Sequence, residues 1–232
     1  MFIALIISCS DKKTADKISE FDKVLGKENV ATLDFLVSDF ENSFLKRQYP
    51  NLNTVNAYRQ FLLQLRDRKT ENLKTISQNA EKKFRLSKLI LEIYKFPDSV
   101  WVLENSSFDK MESDSFPVMR NDFPYVKLRY KHINSDGSSD FTYSRKYGEI
   151  RPNSNFDSII NRELNTVKVN YTGKYYQALG EIKNKSKFHQ EFYEKKISSG
   201  SLYPMLADVM LLEKIDLNDK INRRIIVLEL VY

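Results

Sequence analysis

Apolar residues recur at three- and four-residue steps through roughly the first hundred positions, and this spacing predicts amphipathic helices. Gly26 is a suitable end for the first helix, and Pro50 stops the second because proline cannot continue a helix. Asn53 or Thr54 can cap the third, and Thr70 starts a fourth. The pattern predicts an up-and-down helical block with helices over 15–25, 33–48, 54–65 and 70–96, the last either continuous or broken near Asn79.

Period-two alternation replaces the helical pattern near the middle of the chain. Residues 125–133 and 141–147 alternate apolar and polar side chains, as paired strands do. The run between them is rich in Asn, Ser, Asp and Gly, which favour a turn. The pattern predicts a β-hairpin over about 125–147.

Helical spacing returns after the hairpin and continues through the last third of the chain. Gly200 and Pro204 mark a boundary between two of these helices. The predicted fold class is therefore mainly α, a multihelical bundle-like domain with one β-hairpin. The carboxyl-terminal helices are predicted over about 154–166, 173–184, 186–198, 202–214 and 216–231.

The start of the chain carries its most specific motif. A short apolar run over 2–7 is followed by Ser8 and then by Cys9, the single cysteine of the sequence. Without a preceding Lys or Arg, the run makes a poor ordinary signal peptide. Its ending, Ile6-Ile7-Ser8-Cys9, nevertheless resembles the lipobox of bacterial lipoproteins, in which two aliphatic or small residues and one small residue precede a cysteine.

This resemblance implies an anchored protein of the bacterial cell envelope that faces the periplasm or the surface. Cys9 would carry a diacylglyceryl group, residues 1–8 would be removed as a signal peptide, and the new amino terminus would be acylated, for example with palmitate. Residues 9–14 would be the lipidated tether. The remainder, 15–232, is predicted to be a single mainly helical domain, with 15–97 and 98–232 as candidate sub-blocks.

A second interpretation of the same apolar run remains open. Residues 2–7 are rich in β-branched side chains and could form a buried strand. Since open α/β sheets bind ligands at the carboxyl ends of strands, Cys9 or Ser10 would then be a candidate catalytic residue. That interpretation predicts a cytoplasmic α/β enzyme or a nucleic-acid-associated protein. The rest of the chain, however, lacks the repeated short apolar strands of a parallel sheet.

Composition changes this picture only slightly. The 15 Phe and 13 Tyr predict a ring-filled core in preference to a tyrosine-lined recognition surface. Lys and Arg total 37 against 31 Asp and Glu, a formal charge of +6, and nucleic acid is not an expected partner. Three basic clusters are interpreted as solvated helix faces. They are Arg66, Arg68 and Lys69; Lys82, Lys83, Arg85 and Lys88; and Lys183, Lys185 and Lys187.

No catalytic, metal-binding or cofactor motif stands out. The chain has no phosphate-binding glycine loop, nucleophile elbow or H-E-x-x-H motif. His132 and His189 lack partners at metal-ligand spacing, and each is interpreted as structural. Two polar groups are interpreted as a connection and a turn rather than as cation sites: Asp109, Glu112 and Asp114, and Asp136, Ser138 and Asp140.

The leading hypothesis is a non-enzymatic, lipid-anchored module that binds a protein or another component of the envelope. The lipobox-like motif supports the anchor, and the lack of catalytic motifs supports a binding role. The expected contacts are the membrane, through Cys9, and a protein partner in the envelope. No catalytic residue, metal or cofactor is expected.

Overall fold

A computed structural model describes residues 19–69, 75–103, 124–133, 138–151, 153–200 and 205–232. Over these residues the chain is mainly helical with a small amount of antiparallel β-structure, which confirms the predicted fold class. Apolar side chains gather in two clusters, a large one among the helices and a small one beneath a three-stranded sheet.

The amino-terminal helices begin and end at residues that the sequence marks. They are α1 (Glu20–Leu25), α2 (Lys27–Asp39), α3 (Lys46–Gln48) and α4 (Thr54–Arg66), with a π-helical turn (Phe40–Leu45) between α2 and α3. Ser19 caps α1 by accepting a hydrogen bond from the Asp22 amide at 3.1 Å, and Asn53 caps α4 similarly. Gly26, at φ 84°, ends α1 in a conformation that suits glycine.

The fourth predicted helix is wrong as a continuous element. Its described part consists of α5 (Gln78–Arg85), α6 (Lys88–Ile93) and strand β1 (Tyr94–Lys95). Asn79 lies inside α5, and the interruption falls at Leu86 and Ser87 instead. The Ser87 hydroxyl donates to the Phe84 carbonyl at 2.7 Å, which satisfies a carbonyl at the end of α5. The chain therefore turns here without glycine or proline.

Two small antiparallel sheets contain the remaining strands. They are β2 (Ser99–Leu103), β3 (Tyr125–Ile133), β4 (Ser139–Tyr147) and β5 (Lys168–Val169). β1 pairs with β5, and the other three form a sheet in the order β2-β3-β4. The pairing of β3 with β4 confirms the predicted hairpin, whose residues 134–137 lie outside the described part. β2 has no counterpart among the predicted elements because five residues show little alternation.

All five predicted carboxyl-terminal helices are present, with described bounds that differ from the predicted ones by a few residues. They are α7 (Phe156–Leu164), α8 (Lys174–Ile182), α9 (Lys187–Ser199), α10 (Met205–Leu212) and α11 (Lys220–Leu230), with a 3-10 turn (Lys183–Lys185) after α8. Asn155 caps α7, Ser186 caps α9 and Asp219 caps α11, each by accepting from a backbone amide. Of the helices among the described residues, none combines the length and apolar character needed to cross a membrane.

Helices α1, α2, α4–α6 and α8–α11 share the larger apolar cluster, and together with α3 we call them the helical body. Aromatic rings fill part of its centre, since the ring of Phe40 lies 5.2 Å from Phe44, 5.0 Å from Phe61 and 5.7 Å from Tyr58. Edge-on and offset ring pairs of this kind stabilise a core beyond their buried area. The ring-filled core predicted from composition is therefore observed.

A buried guanidinium joins the two ends of the described chain in the helical body. Arg224 of α11 is 1% exposed and contacts Asp34 of α2 at 2.7 and 3.0 Å and Asp22 of α1. Such an ion is costly to bury unless its hydrogen bonds are satisfied, as they are here. The contact fixes α11 against the first two helices.

Strands β2–β4 and helix α7 surround the smaller apolar cluster, and we call them the sheet unit. Its buried members are Val126, Leu128 and Tyr130 of β3 and Ile159 of α7. Because side chains alternate along a strand, the even-numbered positions of β3 face α7 and the odd-numbered positions form the opposite face. The sheet unit thus has one covered and one open face.

The segment that contains β5 connects the sheet unit to the helical body. The Asn170 amide donates to the Ile93 carbonyl at 2.8 Å, and the Asn170 side chain donates to the Leu91 carbonyl at 2.7 Å. At Gly173 a Cβ atom would lie 2.1 Å from the Glu92 carbonyl oxygen, so only glycine permits this close approach. We call the β1–β5 pair and residues 170–173 the junction.

Candidate anion-binding cleft

A cleft of about 620 Å³ opens where the covered face of the sheet unit meets the junction. Its walls come from three parts of the structure: the junction, the β3–β4 pair and the end of α9. The described lining residues include no aspartate or glutamate. They are Lys95, Tyr130, His132, Thr142, Lys168, Val169, Tyr171, Thr172, Ser199 and Gly200.

Backbone register brings the basic side chains of the cleft together. Lys95 and Lys168 are direct cross-strand partners in the β1–β5 pair. Like charges at directly opposed positions destabilise a sheet, so this pairing works against the fold. Tyr130 and His132 lie two residues apart on β3, and Thr142 is the β4 partner of Tyr130, which places all three on the covered side of the sheet.

A hydrogen-bonded chain runs across the floor of the cleft. Lys95 Nζ lies 2.8 Å from His132 Nδ1, and His132 Nε2 lies 2.7 Å from Thr142 Oγ1. A charged Lys95 can only donate, so His132 Nδ1 accepts and the ring hydrogen sits on Nε2. Nε2 then donates to the Thr142 hydroxyl. The imidazole is consequently neutral and held in one tautomer.

Desolvation disfavours positive charge at each basic group of the cleft. Burial lowers the pKa of Lys95, and burial together with the neighbouring Lys146 lowers the pKa of Lys168. The pKa of His132 is lowered by burial and then by Lys95, against an opposing effect of Asp140. A bound anion would relieve all three groups at once, because it supplies the opposite charge that the described lining residues lack.

Tyr130 offers a further polar group beside the lysines. The side chain is 2% exposed, and among the described residues its hydroxyl has no hydrogen-bond partner. Lys168 Nζ lies 4.2 Å from the centre of its ring. Burial and the charge of Glu163 raise the pKa of Tyr130, so the hydroxyl keeps its proton. An unsatisfied buried donor at a basic cleft is suited to an acceptor from outside the chain.

Gly200 shapes the rim of the cleft opposite the sheet. It ends α9 at φ 75°, a conformation that side chains other than glycine rarely adopt. A Cβ atom at this position would lie 2.8 Å from the Tyr171 hydroxyl. Glycine therefore keeps the space beside Tyr171 open.

The chemistry of the cleft favours binding over nucleophilic catalysis. A hydroxyl nucleophile needs a neighbouring base that accepts its proton. Here Lys95 occupies Nδ1 of His132, and Nε2 of the same ring donates to Thr142, so the imidazole cannot accept the threonine proton. The arrangement instead places ammonium and hydroxyl groups along the walls of one cleft, and such groups bind a carboxylate or phosphate.

Several residues singled out in the sequence are not among those that the structure describes. Cys9, the candidate lipidation site, lies outside the described residues, as do Ser10, the acidic group at 109–114 and Asp136. Asp140 is the cross-strand partner of His132 and acts on its charge from the edge of the cleft.

The two histidines have different surroundings. His189 is buried in the helical body beside Ser186 and Phe188, as a structural histidine would be. His132 instead lies in the cleft, bonded to Lys95 and Thr142, and its interpretation as a structural residue stays a prediction. Shared parity of Tyr130 and His132 on one predicted strand was a usable signal for this grouping. No such signal marked Lys95 and Lys168 in the sequence, because their pairing depends on how the junction folds.

The basic clusters lie on solvated faces of the helical body. Lys88 pairs with Glu28 at 2.9 Å, and Arg85 pairs with Glu81 at 3.1 Å. Lys187 pairs with Glu213 at 3.0 Å. These contacts agree with the interpretation of the clusters as ion-paired helix faces.

Within the part of the chain that the structure describes, no three His, Cys, Asp or Glu side chains are placed to hold a metal ion. Comparison of the chain with protein-family models, with curated proteins and with solved structures finds no match. The function is therefore argued from the cleft and from the sequence motif.

Proposed function

We propose that this chain is a binding module that holds an anionic group of its ligand in the cleft between the sheet unit and the junction. The observation that carries this proposal is the direct opposition of Lys95 and Lys168 beside His132, in a cleft with no carboxylate among its described lining residues. A carboxylate or phosphate between the two ammonium groups turns a repulsive pair into two charge-assisted hydrogen bonds.

The expected strength of the site follows from those bonds. A hydrogen bond to a charged group contributes about 1.5–3 kcal/mol, so losing one lysine corresponds to an affinity about 10- to 100-fold weaker. The Tyr130 hydroxyl adds a neutral donor. Ligand specificity would then come from Tyr171 and Thr172 at the rim.

Proton magnetic resonance of the two histidines tests the proposal, because the chain contains only His132 and His189. Addition of inorganic phosphate to the full chain at constant pH is expected to shift the His132 signal saturably and to leave the His189 signal in place. Lys95→Met and Lys168→Met should each weaken the response about 10-fold or more. Lys88→Met, on the solvated face of the helical body, is the matched control.

Two outcomes would contradict a binding cleft. One is a phosphate response of equal size at both histidines, which would reflect ionic strength alone. The other is an equal loss of affinity in Lys88→Met and the cleft variants. Succinate in place of phosphate tells whether the site prefers a carboxylate.

We also propose that the module is anchored in a bacterial envelope through Cys9. The supporting observation is the motif Ile6-Ile7-Ser8-Cys9, together with the absence of any other cysteine from the sequence. Two or more acyl chains give stable membrane attachment, and a lipoprotein amino terminus supplies them.

Metabolic labelling tests the anchor independently of the cleft. Cells grown with a fatty-acid probe should label the wild-type chain and not Cys9→Ser. The mass of the mature amino terminus should show a lipidated cysteine as the first residue. An intact unmodified methionine, or equal membrane attachment of Cys9→Ser, would refute the anchor and leave the cleft proposal standing.

A further inference from the structure

The cleft has more room than an inorganic anion can fill. Its volume of about 620 Å³ lies in the range of about 300–1,000 Å³ that is typical of sites for organic ligands. A phosphate or carboxylate group between Lys95 and Lys168 would occupy only the part of the cleft beside the β1–β5 pair. The remaining space can hold a larger ligand, of which the anionic group is one end.

One corner of the cleft is formed by residues with little polar character. A Cβ atom at Gly200 would lie 3.2 Å from Val169 Cγ2 and 2.8 Å from the Tyr171 hydroxyl, so these three residues lie together. We call them the aromatic corner. Tyr171 is 47% exposed, which leaves much of its ring accessible to a ligand. The cleft therefore combines basic side chains with an accessible aromatic ring.

Buried groups behind Tyr171 hold its ring in place. The ring packs edge-on against Tyr176 at 5.3 Å between ring centres, and Tyr176 packs in the same way against Tyr175 at 5.9 Å. The Tyr175 hydroxyl donates to Glu229 Oε1 at 2.8 Å, and Lys196 Nζ donates to Glu229 Oε2 at 2.6 Å. Because Tyr171 is supported by this row of rings, a ligand that stacks on it removes little conformational freedom.

The basic side chains and the aromatic corner are separated by about the length of one nucleotide. Lys168 and Tyr171 are three positions apart in the sequence, so their Cα atoms are at most about 10 Å apart. Thr142 and Thr172 also line the cleft and bring hydroxyl groups to it. A nucleoside monophosphate has an anionic end, a flat base and a sugar between them whose hydroxyls donate and accept hydrogen bonds. Its parts match the side chains that line the cleft.

We infer that the ligand of the cleft is a nucleoside monophosphate, with its phosphate between Lys95 and Lys168 and its base stacked on Tyr171. This inference rests on the proposed function, because it requires the anion site. Stacking of a base on an aromatic side chain strengthens binding about tenfold or more and needs only the flat face that every base has. A sugar phosphate without a base would leave the Tyr171 ring uncovered.

Ribose 5-phosphate and adenosine 5′-monophosphate are suitable probes, because they differ mainly in the base. Each is titrated into the full chain at constant pH and ionic strength, and the His132 proton signal gives the affinity. We expect adenosine 5′-monophosphate to bind about tenfold more tightly than ribose 5-phosphate. The base protons of the bound nucleotide should shift upfield, since stacking places them over the Tyr171 ring.

Variants of Tyr171 test where the base lies. Tyr171→Ala should reduce the preference for the nucleotide over ribose 5-phosphate from about tenfold to less than about twofold, and it should abolish the upfield shift. Tyr171→Phe should keep both, because the hydroxyl takes no part in stacking. Tyr143→Ala is the matched control, since Tyr143 is 56% exposed and lies on the open face of the sheet unit. The two affinities are compared within each variant, so a general loss of stability does not imitate the effect.

Failure of the inference can be told from failure of the proposed function. If His132 shows no saturable response to inorganic phosphate or to ribose 5-phosphate, the anion site is refuted and the inference with it. Equal affinities for ribose 5-phosphate and the nucleotide would refute the inference alone and leave the anion site standing. A nucleotide preference that survives in Tyr171→Ala, or that is lost equally in Tyr143→Ala, would show that the base does not bind at Tyr171.

Discussion

The helical body and the cleft differ in how their charged groups are paired. In the helical body, each of two buried cations meets a carboxylate: Arg224 contacts Asp34, and Lys196 contacts Glu229 at 2.6 Å. In the cleft, Lys95 instead stands opposite Lys168, and neither has a carboxylate among the lining residues described. Paired charges hold a fold together, whereas unmatched ones cost stability and attract a partner. The contrast supports the proposed binding role of the cleft.

Truncation of one leucine to alanine in each of the two cores is expected to show the largest difference in stability between the regions. Leu33 of the helical body and Leu128 of the sheet unit are both fully buried. Leu33→Ala should lower the free energy of unfolding of the whole chain by about 4 kcal/mol, through lost contacts and a residual cavity. Leu128→Ala should destabilise mainly the sheet unit, because its core has few buried members.

Urea unfolding followed by two probes separates these effects. Far-ultraviolet circular dichroism reports the helices, and Trp101 fluorescence reports the sheet. Leu33→Ala should shift both transitions, and Leu128→Ala should shift the Trp101 transition alone. Coincident transitions in both variants would show that the two regions unfold as one cooperative unit.

Removal of the buried Arg224 guanidinium should have the next largest effect on stability. Arg224→Met is expected to lower the free energy of unfolding by about 3 kcal/mol, since it removes the cation that joins Asp22 to Asp34 and leaves Asp34 with the exposed Lys220 alone. Lys23→Met breaks an exposed pair with Glu20 and should change stability by less than about 0.5 kcal/mol. Equal effects of the two variants in denaturant titration would contradict a structural role for burial of the Arg224 charge.

Replacement by alanine should change stability in opposite directions at Gly173, which precedes α8, and at Gly180, inside α8. Gly173→Ala places a Cβ atom against the Glu92 carbonyl and should cost about 2 kcal/mol by forcing the junction apart. At Gly180, inside α8, the nearest atom to a new Cβ is the Tyr193 hydroxyl at 3.4 Å. Gly180→Ala should therefore gain about 0.5–1 kcal/mol of helix propensity. Thermal unfolding of both variants measures the difference, and a loss in both would refute it.

Lowering the pH should have the smallest effect on stability, and it should destabilise both regions. Folding lowers the pKa of His132 and of His189, so the folded chain binds fewer protons than the unfolded chain just below the ordinary histidine value of about 6.5. Stability is therefore fully present above about pH 6.5 and declines as pH falls toward the lowered pKa values. Urea midpoints measured on either side of this range give the slope.

Substitution of each histidine in turn shows how much each region contributes to the pH dependence of stability. His189 is the more deeply buried of the two, and both burial and Lys185 lower its pKa against the opposing charge of Asp219. His189→Gln is expected to flatten the pH dependence more than His132→Gln does. A steeper dependence in either variant would contradict the direction assigned to these pKa shifts.

Local patterns predicted the helices well, because the residues that end each helix and those that form its buried face lie within it or next to it in the sequence. Asn53 and Gly26 set helix ends through their own side chain or backbone freedom, and the apolar spacing set the buried faces. The interruption at Ser87 was missed, since a serine can stop a helix by bonding to its carbonyls without any turn signal in the sequence.

The cleft could not be read from the sequence because it is assembled by distant pairings. His132 and Lys95 are 37 residues apart, and their contact depends on how the junction docks on α6. The alternation that predicted the hairpin did define which residues share a face. It could not show which face α7 covers, so the face that lines the cleft could not be told from the open face.

The Arg224 contact joins residues that are far apart in the sequence, and this separation affects how the chain folds during its synthesis. Asp34 and Arg224 are 190 positions apart, so at about 5–20 residues per second the arginine is synthesised about 10–40 s after its partner. During that interval the first helices have left the ribosome without the segment that completes their core. Chaperones thus meet an open nascent chain with exposed apolar helix faces before the fold can close around them.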